Sequence, residues 1–158
     1  MKFKFDIAPI EQARPRATRM GKGIRLYDPQ KVAVFKRQLG MLAKQQMLDR
    51  GLEPYDGPLE VCMEFYRPVQ ASLSQKERAR RLSGVHRPTV KPDLSNYVKA
   101  TEDALNGILW ADDNLIISLE AKKYYAEQPH LIVEIRRPTY REEENNGKPG
   151  DKKPTSSD

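Results

Sequence analysis

Apolar and polar positions alternate with a period of two from Lys2 to Ile7, which predicts a short strand. Residues 11–30, rich in Arg, Gly and Pro, break that pattern and read as a long exposed loop closing at Tyr27-Asp28-Pro29. Val32, Phe35, Leu39, Leu42 and Met47 then recur at roughly helical spacing as far as Gly51, predicting a helix over 30–49 with Asp28 as N-cap and Pro29 in the first helical position. The apolar run from Leu59 to Tyr66 predicts a strand, and a second long basic connection follows over 68–92, in which Ser74 caps a short helix ending at Leu82. Leu94, Tyr97, Val98, Thr101, Ala104, Leu105 and Ile108 return at spacings of three and four, so a helix begins at Asp93 or Ser95 and stops at Asn106-Gly107. Leu115–Tyr124 and His130–Arg136 read as strands joined by a turn near residues 127–129.

These elements predict an α+β fold in a single small domain, order β-α-β-α-β-β, with a mixed sheet packed against helices. The domain spans 1–138. From Thr139 onward the chain has no aliphatic residue and is rich in Pro, Gly, Ser and Asn, so 139–158 is expected to be a disordered tail.

Composition sharpens this picture. The 158 residues include 38% hydrophobic and 32% charged positions, enough for one core under a well-solvated surface. Charge is +6, from 28 Lys plus Arg against 22 Asp plus Glu. The tail holds four of the basic and five of the acidic residues, leaving 24 against 17 and a net +7 on the domain. No apolar run is long enough to cross a membrane, and Pro9 interrupts the amino terminus too early for a signal peptide, which predicts a cytoplasmic protein without a membrane partner. Cys62, the single cysteine, lies within an apolar run and is expected to be a buried, inert thiol. With two histidines and one cysteine, zinc fingers are excluded, and a bound metal must be held by oxygen.

The candidate chemistry concentrates in KPDLSNYVKATEDALNGILWADD, residues 91–113. The polar side of the predicted helix carries Ser95, Asn96, Lys99, Glu102, Asp103 and Asn106, with Lys99 one turn from both Ser95 and Asp103. Asp93 precedes the helix, and Asp112 and Asp113 follow it. Carboxylates from separate elements can converge on Mg²⁺, which takes about six oxygen ligands and is usually held by one or two carboxylates plus phosphate. A lysine beside them can face the charge that develops on a phosphoryl group. The same residues also admit a plain structural reading, in which Asp93 caps the helix, Lys99 and Asp103 form a surface pair and Asp112-Asp113-Asn114 makes a turn. Trp110 reads as a core or interface residue.

Pro92-Asp93-Leu94-Ser95-Asn96, Lys99, Asp103-Ala104-Leu105-Asn106-Gly107, Trp110 and Asp112-Asp113 resemble the signature of the RusA family of Holliday junction resolvases, small endodeoxyribonucleases often carried by phages and prophages. The likeness is strongest over 91–123 and extends to the early Arg14-Pro15-Arg16 loop. It implies a Mg²⁺-dependent homodimer, with Mn²⁺ as an alternative ion, that resolves four-way DNA junctions by paired phosphodiester hydrolysis. Asp93 and Asp113 match metal-binding aspartates and Lys99 the catalytic lysine. Asp103 matches a further acidic position and, with Asp112, is a candidate metal ligand. Where the family pattern has Asp-x-Asp-Asn, this chain has Ser95 in place of the second aspartate. Asp103, Glu102 or Asp112 compensates, or metal affinity is low, or catalysis is lost. In the last case the chain is a catalytically silent branched-DNA-binding accessory protein.

Two basic runs supply candidate DNA contacts. Arg14, Arg16, Arg19, Lys22 and Arg25 occur without an acid between them, and Lys76, Arg78, Arg80, Arg81, Arg87 and Lys91 are accompanied only by Glu77. Arginine suits phosphate because its planar donors bind two oxygens together. Neither run interleaves aromatics as a single-strand stacking platform does, which predicts branched duplex DNA held through its backbone.

Overall fold

A computed structural model describes residues 1–139. The predicted tail therefore lies, beyond Thr139, outside the described residues. Six strands and three helices occur in the order β1 (Lys2–Phe5), β2 (Arg16–Met20), β3 (Gly23–Tyr27), α1 (Gln30–Asp49), β4 (Leu59–Pro68), α2 (Gln75–Leu82), α3 (Leu94–Leu105), β5 (Ile116–Ala126) and β6 (His130–Arg136), with a 3-10 turn at Asp113–Leu115 ahead of β5.

The main sheet has the order β1-β6-β4-β5, with β4 and β5 parallel and the other pairs antiparallel. It is the expected mixed sheet. Although β5 and β6 are joined by a short turn, they do not pair: β4 lies between them, with Met63 opposite Ala121 on one side and Val133 on the other. The parallel β4–β5 pair needs a long crossover, which α2 and α3 supply. Leu59, Val61, Met63 and Phe65 alternate onto one face of β4 and are almost wholly buried, together with Phe3 and Phe5 of β1 and Leu131, Val133 and Ile135 of β6. Against this face pack Phe35, Leu39 and Ala43 of α1 and Tyr97, Ala104 and Leu105 of α3. Cys62 is also buried, and burial pushes its thiol up, away from the reactive thiolate.

The helices α1 and α3 approach closely where Gly40 faces Ala104. A Cβ on Gly40 would lie 3.5 Å from the Ala104 carbonyl oxygen and 3.4 Å from Ile108 Cδ1. That approach brings Lys36, one turn before Gly40, against the polar side of α3.

Two expectations are corrected here. Residues 11–30 are not wholly loop but contain the β2–β3 hairpin, paired from Arg16–Tyr27 to Met20–Gly23. Gly21, at φ +61°, takes the first central position of its two-residue turn, the place where a type II′ hairpin needs glycine. All ten strand residues of the hairpin are exposed, so no burial rhythm marked it. Nor is Asp28 the cap of α1. Pro29 occupies that position without a side-chain hydrogen bond, and the Asp28 carboxylate turns to Lys36 and Gln12. The other boundaries are close to those expected, including the Ser74 cap of α2, whose hydroxyl accepts from the Glu77 N–H.

Candidate active site

The site is built around α3. Its apolar side is pinned in the core, which fixes the direction of the opposite side. The segment entering it is also held: Lys123 of β5 donates to the carbonyls of Val90 and Pro92, and Arg67 of β4 donates to that of Lys91. Asp93 is the N-cap of α3, yet its side chain makes no capping hydrogen bond. Its carboxylate is exposed at the positive end of the helix dipole. Ser95 is exposed on the first turn.

Lys99 donates to Asp103 Oδ1 at 2.8 Å, and Lys36 of α1 donates to Asp103 Oδ2 at 3.0 Å. Desolvation pushes the Asp103 carboxyl up, but the two lysines outweigh it and hold the carboxyl below the usual aspartate range. The Lys99 ammonium is raised, first by its hydrogen bond to Asp103 and then by the charges of Asp103, Glu102 and Asp113.

On the other flank the balance reverses. Glu102 is raised by desolvation and, beyond that, by the negative charge of Asp113, with Lys99 offsetting only part. Asp113 is oriented by the buried indole of Trp110, whose Nε1–H donates to Asp113 Oδ1 at 2.7 Å. Trp110 is thus a core residue that also aims a carboxylate. Asp112 is engaged differently: its Oδ1 accepts from the Asn114 N–H at 2.8 Å and caps the 3-10 turn.

The structure therefore separates the sequence candidates. Asp113 and Lys99 share one electrostatic neighbourhood, which also includes Glu102. Asp103 and Asp112, expected among the metal ligands, are taken up by two lysines and by a turn N–H. Among the described residues no three His, Cys, Asp or Glu side chains form a group that could hold a metal ion. Glu102 is the residue whose part was least legible in sequence. It lies seven residues after Ser95, two turns along the same side of α3.

The basic residues also divide. Arg14, Arg16, Arg19, Lys22 and Arg25 are exposed on or beside the hairpin and make no salt bridge among the described residues. In the second run, Arg78 pairs with Glu127, Arg81 with Glu77 while lying over the Tyr125 ring, and Arg87 lies over the Tyr124 ring and donates to the Lys123 carbonyl. These three hold α2 and its following loop against β5, while Lys76, Arg80 and Lys91 stay exposed.

A lysine and carboxylates thus lie along α3 and the turn after it, with a basic hairpin rooted against the same helix, groups suited to meeting a phosphodiester backbone. The endodeoxyribonuclease RusA family profile matches residues 6–136, and the chain belongs to that family, whose members are Holliday junction resolvases. The chain is similar to the uncharacterized protein YqaN of Bacillus subtilis (strain 168), 34% identical over 138 residues that cover 86% of this chain and 95% of the relative.

Proposed function

We propose that the protein is a Mg²⁺-dependent, structure-selective endonuclease acting in the cytoplasm as a homodimer that places paired nicks in four-way junctions. The observation that carries this reading is the half-buried Glu102 on the polar side of α3 with Lys99, its carboxyl raised first by desolvation and then by the charge of Asp113, which the Trp110 indole aims from the following turn. Like charges driven together in a partly dehydrated place suit a hard divalent cation, and the donors available are all oxygen. Asp113 is the central ligand and Asp93 a second, as the family positions imply. Glu102, two turns on from Ser95, brings a further carboxylate to the electrostatic neighbourhood of Asp113, although among the described residues these side chains do not by themselves make a three-ligand group. Since Mg²⁺ is usually held by one or two carboxylates plus substrate phosphate, the DNA backbone completes the site.

When bound, Mg²⁺ supplies Lewis-acid polarisation and a more acidic water. Lys99, 60% exposed and held by Asp103 from one side, presents its ammonium to the scissile phosphate and stabilises the charge that develops there. Trp110 keeps Asp113 from rotating away. The exposed hairpin arginines and Lys22, with Arg80 and Lys91, grip phosphates rather than bases, so binding follows branch geometry and falls steeply with salt. Two symmetric cuts require two sites and hence two copies. Exposed Ile117 and Leu119 on the edge strand β5, and Met41 and Leu48 on α1, support such an association.

The test is incubation of the protein with an end-labelled four-way junction and with linear duplex of the same sequence, in Mg²⁺ at matched salt. Paired nicks confined to the junction are expected. Junction binding with no cleavage in any Mg²⁺ or Mn²⁺ concentration would overturn the reading and leave a silent binding protein.

A further inference from the structure

A chain of hydrogen bonds with alternating charge leads from the hairpin to Lys99. Gln12 and Asp28 stand at the two roots of the β2–β3 hairpin. Gln12 Nε2 donates to Asp28 Oδ1 at 3.0 Å, Lys36 donates to Asp28 Oδ2 at 2.8 Å and to Asp103 Oδ2 at 3.0 Å, and Lys99 donates to Asp103 Oδ1 at 2.8 Å. Each carboxylate oxygen in the chain has one of these donors. The Gln12 backbone N–H also donates to the Asn96 carbonyl in the first turn of α3, at 2.9 Å. Both hairpin roots are thereby fastened to the helix that carries Lys99.

Lys36 is the inner link. Its side chain is 19% exposed, against 60% for Lys99. A long lysine stem held at one end by α1 and at the other by two carboxylates has lost its rotamer freedom, whereas the Lys99 ammonium is held by the single carboxylate of Asp103. With Oδ2 fixed by Lys36, the Asp103 carboxylate has its Oδ1 directed to Lys99.

We propose that Lys36 is a positioning residue: it orients Asp103 so that Asp103 holds the Lys99 ammonium, and through Asp28 it makes that placement depend on the roots of the basic hairpin. The inference rests on the reading of Lys99 as the cation facing the scissile phosphate. It adds that an arm engaging DNA and the lysine acting on it are one mechanical unit, so that displacement of the hairpin root is felt at Lys99.

The experiment is Lys36→Met in the full chain, followed by two readouts. The first is the Lys99 side-chain ammonium signal in ¹⁵N-labelled protein without metal, identified by its loss in Lys99→Arg. The second is junction cleavage. The Lys99 signal is expected to shift and to exchange with water faster, while kcat falls about tenfold with KM held within twofold, since small misplacement of a reacting group is costly. Lys36→Arg should recover most of both. Asp28→Ala, which removes both acceptors that join Lys36 and Gln12 at the hairpin root but leaves Lys36 on Asp103, should give the same changes at about a third of the size in kcat. An unmoved Lys99 signal in Lys36→Met overturns the proposal whatever happens to cleavage. A moved signal with unchanged kcat instead upholds the chain and overturns the role given to Lys99. If the wild-type protein does not cleave, the functional reading fails, and the ammonium signal alone still decides whether Lys36 positions Lys99.

Discussion

The two flanks of α3 carry neighbouring acids with opposite circumstances. On the side facing α1, Asp103 lies between two lysines and every charge has a counter-charge. On the side facing the 3-10 turn, Glu102 is half-buried near Asp113, and only Lys99 offsets them. A balanced flank gains from ionisation and serves the fold, while an unbalanced one loses by it. Carboxylates perturbed by desolvation and a like charge gather at functional sites, which sets this flank apart as the candidate for a ligand.

The largest break in the comparison is Asp113→Asn. It should lower junction cleavage about a thousandfold or more by removing the central carboxylate, with junction affinity unchanged or higher; gel-shift and cleavage on one preparation check both. Residual activity near wild type would move the site elsewhere.

Glu102→Gln should weaken Mn²⁺ binding by at least about 10–100-fold, the range seen when a residue that only supports a metal's ligands is altered. Electron spin resonance of free Mn²⁺ measures this without reference to activity. Adding Ser95→Asp to that variant should recover part of the loss by returning a carboxylate to the first turn. If Asp103→Asn weakens Mn²⁺ as much as Glu102→Gln does, the two flanks have been assigned the wrong way round.

Trp110→Phe keeps an aromatic ring in the core but removes the donor to Asp113 Oδ1. Stability should fall by about 1–2 kcal/mol in denaturant unfolding, and cleavage by several-fold as Asp113 loses its fixed rotamer. Full activity would mean that Asp113 is aimed by something else.

The smallest effects are those of pH on stability in metal-free protein. The Glu102 carboxyl is raised on folding, so its contribution is present below the ordinary glutamate range and is lost as pH rises through the folded value. Asp103 is lowered, so its contribution is present above the ordinary aspartate range and is lost as pH falls through the folded value. At neutral pH Glu102→Gln should therefore raise the melting temperature slightly and Asp103→Asn lower it, with both differences shrinking toward pH 3. Solvent screening keeps each to a fraction of a kcal/mol. A shift of the same sign in both variants contradicts the contrast.

Much of this arrangement was legible in the chain. The apolar repeat of α3 states its buried side, so Lys99, Glu102 and Asp103 could be set on the polar side. Which acid meets the lysine of another helix and which meets Asp113 depends on where α1 crosses α3, a contact between residues 36 and 103 that no local pattern encodes. Asp28 was misread for the same reason. Its position before Pro29 is that of a cap, but Lys36 and Gln12 take its carboxylate first. The hairpin escaped because alternation reveals a strand only when one face is buried, although Gly21 before Lys22 and Gly23 was a turn signal at hand. The insertion of β4 between β5 and β6 is likewise a long-range pairing that adjacent strands in sequence do not disclose.

Whether the protein is a Mg²⁺-dependent junction nuclease is decided by single-turnover cleavage of a labelled four-way junction, followed as Mg²⁺ is titrated from an EDTA-treated stock. Paired nicks that are absent in EDTA and rise to saturation with Mg²⁺ are predicted. A protein that cuts as fast in EDTA, or that binds the junction at every Mg²⁺ concentration and leaves it whole, would contradict it.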